Sequence, residues 1–84
     1  MLAQFRYRRA ERSARIGRLA AAHRDFARAA RAGHAAAQYR VASNYSAGRG
    51  CVRSGSEAIR WYEKAAEAGH TDAQFELGVL LLAD

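Results

Sequence analysis

Aligned against itself, the chain places AARAGHAAAQ (residues 29–38) over AAEAGHTDAQ (residues 65–74), with seven identities in ten at an offset of 36. Alanine matches carry little weight among 21 alanines, but Gly33/Gly69, His34/His70 and Gln38/Gln74 are informative pairs. The register continues upstream through Arg24/Arg60, Phe26/Tyr62 and Arg28/Lys64, and downstream through Tyr39/Phe75, Val41/Leu77 and Ala42/Gly78. A recurring unit of this length cannot bury its apolar face alone and must stack on its neighbours. A period of 36 is that of a helix-turn-helix solenoid.

Composition agrees with helices. The chain has 84 residues, no proline and a net charge of +6; Leu, Ile, Val and Phe together number only 14. That count alone borders on disorder, but alanine is the best helix former and lets helices approach closely, so a thin core remains feasible. A β-sandwich or a doubly wound sheet is excluded. The expected fold is all-α: a short α-solenoid of antiparallel helix pairs, with about two repeats. Ser54 and Glu57 form an S-x-x-E capping box that starts a helix running to Ala68, and Gly69 stops it in a left-handed C′ conformation. Thr71 with Gln74 suggests a second capping box, Gly33 repeats the stop, and residues 35–47 read as a helix before the Gly48-Arg49-Gly50 turn.

Residues 37–70, AQYRVASNYSAGRGCVRSGSEAIRWYEKAAEAGH, resemble one complete repeat of the Sel-one-like family, a relative of the tetratricopeptide solenoids. Trp61-Tyr62, Lys64 to Glu67 and Gly69-His70 match the second half of its pattern; Ala37, Gln38, Tyr45, Gly48 and Gly50 match the first. The resemblance continues into a first helix at 71–84 with Leu77-Gly78, and weakly into a second helix at 19–34. It implies three segments: a basic N-terminal region with a degenerate repeat (1–34), a complete repeat (35–70) and the first helix of a further, truncated repeat (71–84). Val41-Ala42 replaces the usual Leu-Gly pair, Cys51 stands at the valine position, and Ser54-Gly55 replaces an acidic residue and an aromatic. Asp25 occupies the position of Trp61, so the first unit is expected to bury less aromatic surface. Trp61 itself is expected to be the main aromatic anchor, packed around Tyr45 and Phe75.

Catalytic and metal chemistry find no footing. His34 and His70 are equivalent sites one repeat apart, for which the resemblance implies packing and capping, and only His23 remains as a third nitrogen donor for a metal. Cys51 lacks an orienting partner and an oxyanion motif, and Gly48-Arg49-Gly50 lacks the lysine and the following helix of a phosphate loop. No cofactor and no enzymatic activity are expected. The longest apolar run, Val79 to Ala83, is far short of a membrane span, and the N-terminus lacks the apolar stretch of a secretory signal, so a cytoplasmic location is expected. The alternative, a mitochondrial transit peptide at the Arg-rich N-terminus, is disfavoured because the arginine density continues past residue 24.

Binding surfaces are therefore the expected business of the chain. Positions of the first helices not used for packing leave Arg40, Ser43, Asn44 and Ala47 on one stripe and Glu76, Val79, Leu80 and Ala83 on its equivalent, of which Arg40, Asn44 and Glu76 are candidate partner contacts. Nine arginines against two acids make residues 1–34 strongly basic. Arg8, Arg9, Arg12 and Arg15 are spaced to share a helix face and to meet an acidic protein or peptide; the alternative is sequence-independent nucleic-acid binding by the Arg-rich N-terminal helix, with Arg6 and Arg18 added to these four. At the other end Phe75, Leu77, Val79, Leu80, Leu81 and Leu82 crowd one helix with apolar side chains. A homo-oligomer is expected there, formed by a two-fold contact or by exchange of the terminal helix; the alternative is that a heterologous partner or further repeats cover these side chains. The resemblance adds an adaptor or regulatory role in a multiprotein assembly.

Overall fold

The computed structural model describes residues 2–15 and 18–83, and side chains at 3–12 and 18–83. Among the described residues five helices follow one another: α1 (Leu2–Arg15), α2 (Leu19–Arg31), α3 (Ala35–Ala47), α4 (Gly55–Glu67) and α5 (Thr71–Leu82). No strand occurs among the described residues. Each helix packs mainly on the next in sequence, which gives the expected all-α solenoid with extents of 34 × 25 × 17 Å.

Alanine sets the helix spacing. Ala22, Phe26, Ala29 and Ala30 form the buried stripe of α2, and Ala58, Trp61, Tyr62 and Ala65 form that of α4. Among the described residues Phe26, Val41 and Tyr62 are the large side chains buried almost completely, with Trp61 8% exposed. Such a core relies on close backbone approach more than on bulk.

The helix stops are built twice. Gly33 and Gly69 take positive φ values of 97° and 88°. In each, the backbone closes a Schellman motif: Gly33 N donates to Ala30 O and His34 N to Ala29 O, while Gly69 N donates to Ala66 O and His70 N to Ala65 O, all at 3.0–3.1 Å.

The starts differ from expectation. Ser54 Oγ accepts from Glu57 N at 3.2 Å, but the Glu57 carboxylate turns to Arg60 at 3.4 Å, so only half of that capping box forms. Thr71 is no cap at all. His70 takes that place, its Nδ1 accepting from Ala73 N at 3.2 Å, as His34 Nδ1 accepts from Ala37 N at 3.3 Å. Gln74 lies across the turn, where Nε2 donates to Ala66 O at 3.1 Å; Gln38 does the same to Ala30 O at 3.2 Å. The imidazole, with its fixed acceptor, thus serves the donors left open by the first turn.

Candidate interaction surfaces

The two helix pairs share one internal joint. Tyr39 of α3 stacks on His70 with ring centroids 4.7 Å apart and meets Tyr62 of α4 at 5.7 Å. Tyr7 of α1 stacks on His34 at 4.8 Å and meets Phe26 of α2 at 5.5 Å. His34 Nε2 also donates to Gln4 Oε1, which suits the tautomer its capping Nδ1 requires. Tyr7 is therefore the counterpart of Tyr39, and buried Ala10 that of buried Ala42, at an offset of 32 in the first helices against 36 in the second. The difference arises because the connection from Arg15 to Leu19 is four residues shorter than that from Ala47 to Gly55. A search at a single offset passes over this equivalence; Tyr7, Arg8 and Ala10 set against Tyr39, Arg40 and Ala42 were the signal.

Several polar side chains expected at a surface stripe work inside instead. Asn44 is buried, with Nδ2 donating to His23 Nδ1 at 3.2 Å, and His23 lies edge-on to Tyr45 at 5.1 Å. Burial lowers the His23 pKa. Arg40 is half-buried, its guanidinium 4.7 Å over the Phe26 ring and 3.9 Å from Glu11. Both residues join the second unit to the first because an unpaired amide or guanidinium in this alanine-lined interface would be costly. Glu76 is half-buried; after burial itself, its charge is the main cause of the raised Tyr39 and Tyr62 pKa values. Cys51 is half-buried and its thiol pKa is raised by burial, the wrong direction for a nucleophile.

Trp61 is buried under Arg60 and Lys64, each 5.7 Å from its ring. Phe75 does not join it. That ring is 69% exposed on the open side of α5. Val79, Leu81 and Leu82 are also exposed, whereas Leu77 and Leu80 are half-buried against the core. Of the six apolar residues expected to associate, four thus face outward and two face inward.

At the opposite end, α1 and α2 frame a cavity of about 530 Å³ lined by Phe5, Arg8, Arg9, Arg12, Arg18, Ala21 and Asp25. Buried Asp25 stands in the tryptophan position and holds Arg9 at 3.4 Å and Arg28 at 3.6 Å. No carboxylate among the described residues pairs with Arg8, Arg12 or Arg18. The Arg15 side chain lies outside the described residues.

A family model for the Sel1 repeat matches residues 35–70 and again 71–83. The chain belongs to the Sel1 repeat family. It is similar to a Sel1 repeat protein from Oxalobacter formigenes known from a crystal structure, with a TM-score of 0.71 and 36% identity over 73% of this chain. That alignment covers 25% of the other protein, so this chain spans about a quarter of its length. No curated protein matches. Sel1 repeats generally mediate protein–protein interaction, and the family is typically a non-catalytic scaffold. Among the described residues no helix is long and apolar enough to cross a membrane, and no three His, Cys, Asp or Glu side chains gather where they could hold a metal ion.

Proposed function

We propose that this chain is a non-catalytic protein-interaction module with an adaptor or regulatory role, engaging an acidic protein surface through its basic end and other apolar surface, including copies of itself, through α5. The observation that carries this reading is the arginine-lined cavity between α1 and α2, where no carboxylate among the described residues pairs with Arg8, Arg12 or Arg18. Solvent-exposed guanidinium groups around apolar Phe5 and Ala21 favour a partner that brings carboxylates and an apolar side chain together. Arg9 contributes mainly to the fold, because it holds buried Asp25.

The test is affinity capture from native cells by the wild type and by Arg8→Glu/Arg12→Glu, with partners identified by mass spectrometry. A specific partner lost in the variant, and progressively lost as salt shortens the Debye length below about 8 Å, supports the reading. Partner capture that ignores both changes overturns the basic surface. A salt-sensitive gel shift with duplex or single-stranded DNA, abolished by the same variant and without a protein partner, transfers these arginines to nucleic-acid binding.

A further inference from the structure

The cavity between α1 and α2 occupies a known place in the repeat. With the offsets of 32 and 36, Phe5, Arg8, Arg9 and Arg12 correspond to Ala37, Arg40, Val41 and Asn44, and Asp25 corresponds to Trp61. In the second unit those positions receive α2: Arg40 covers Phe26, Asn44 bonds His23, and Trp61 lines one small cleft with Ala30. The helix that fills this groove therefore presents residues 23, 26 and 30, at spacings i, i+3 and i+7, with an aromatic ring in the middle. Among the described residues no helix fills the same groove of the first unit, and its lining is more positive than that of the second. Arg9 replaces Val41 and Arg12 replaces Asn44, so its occupant must carry acid where α2 carries His23.

Helix α5 has that pattern. Asp72, Phe75 and Val79 fall at i, i+3 and i+7, and all three are exposed. We propose that α5 of one copy docks in the α1–α2 groove of the next, so that copies join head to tail. Docked in the direction that α2 takes along α3, Asp72 meets Arg12, Phe75 lies under Arg8 as Phe26 lies under Arg40, and Val79 takes the place of Ala30 beside the position that Asp25 fills. The contact covers the exposed apolar side of α5 and brings Arg12 a carboxylate, where none among the described residues of its own chain pairs with it. Because the two surfaces differ, the interface is heterologous and propagates to rings or open chains, in contrast to a closed two-fold dimer. This inference rests on the reading of the chain as an interaction module and names what α5 meets.

The experiment is sedimentation velocity of the full chain over a concentration and salt series, with circular dichroism to confirm that each variant is folded. The wild type is expected to sediment above its 9.2 kDa monomer mass at low salt and to shift towards monomer as salt rises. Arg12→Glu and Asp72→Arg each place like charges across the contact, and each alone is expected to be monomeric. Mixing the two variants restores complementary pairs at every contact, as does combining both changes in one chain, so assembly should return in both cases. A wild type that stays monomeric at about 100 μM and low salt overturns the proposal. So does an assembly untouched by Arg12→Glu, which would identify an α5-to-α5 contact. A monomer that still captures a specific acidic partner through Arg8 and Arg12 removes this inference and leaves the interaction module standing.

Discussion

His23 and Asn44 illustrate how single residues join the units. Nδ1 of His23 accepts the Asn44 amide, so protonation both removes that acceptor and charges a buried ring. Burial lowers the folded-state pKa from 6.5, and the unfolded chain therefore binds the proton more readily. The stabilisation is full above about pH 6.5 and is lost as pH falls through the lower folded-state value. Thermal midpoints measured from about pH 7 down to pH 5 should decline, and His23→Gln should flatten that slope. Gly50 makes a sharper prediction: its φ is 75°, and an added Cβ would stand 2.2 Å from Leu19 O at the start of α2. Gly50→Ala should destabilise by about 2 kcal/mol or more in urea unfolding, since the left-handed conformation alone costs about 1–2 kcal/mol. Trp61→Ala should cost about 3–5 kcal/mol, a large fraction of the stability of so small a domain. The glycine and the tryptophan were legible as repeat positions. The buried His23–Asn44 pair was not, because a polar residue on an exposed-looking stripe carries no mark of the partner that crosses to it from another helix.

Helix limits were legible because capping chemistry is local. Residues 35–47 form α3 as expected, and Ser54 and Gly69 bound α4. The cap of α5 was misread, since S/T-x-x-E/Q favours Thr71 while stacking on Tyr39 holds the His70 ring in place with Nδ1 already aimed at Ala73 N. Tertiary contact overrode the local preference. In α5 only Ala73 is fully buried, so this helix depends on its cap more than α3 does. Removing an N-cap costs about 1 kcal/mol. His70→Ala should therefore lower α5 amide protection in hydrogen exchange selectively, while His34→Ala, acting between two well-packed helices, should lower protection across α2, α3 and α4 together.

At the scale of the whole molecule, the fold follows from nearest-neighbour packing along one axis, which is why a period alone sufficed to name it. The end surfaces were only partly legible. The basic composition of residues 1–34 announced a positive end, but that Arg9 is engaged by Asp25 while Arg8 and Arg12 are not depends on which side of α1 faces α2. Likewise the apolar count of α5 concealed that Leu77 and Leu80 turn inward while Phe75 and Leu82 remain 69% and 87% exposed.

The joint made of a stacked tyrosine and histidine, a glycine stop and a glutamine that spans the turn recurs with nearly the same dimensions at His34 and at His70. Residues 35–70 thus begin and end on matching fittings, and the segment should behave as a cassette. A gene carrying two tandem copies of 35–70 should splice without a seam: the first His70 would cap the second Ala35 helix as His34 caps the first. Each added copy contributes one more interface than it leaves open, so the lengthened protein should melt as a single transition at a higher temperature than its parent. Two separate transitions in calorimetry would show that the fittings look alike without being interchangeable.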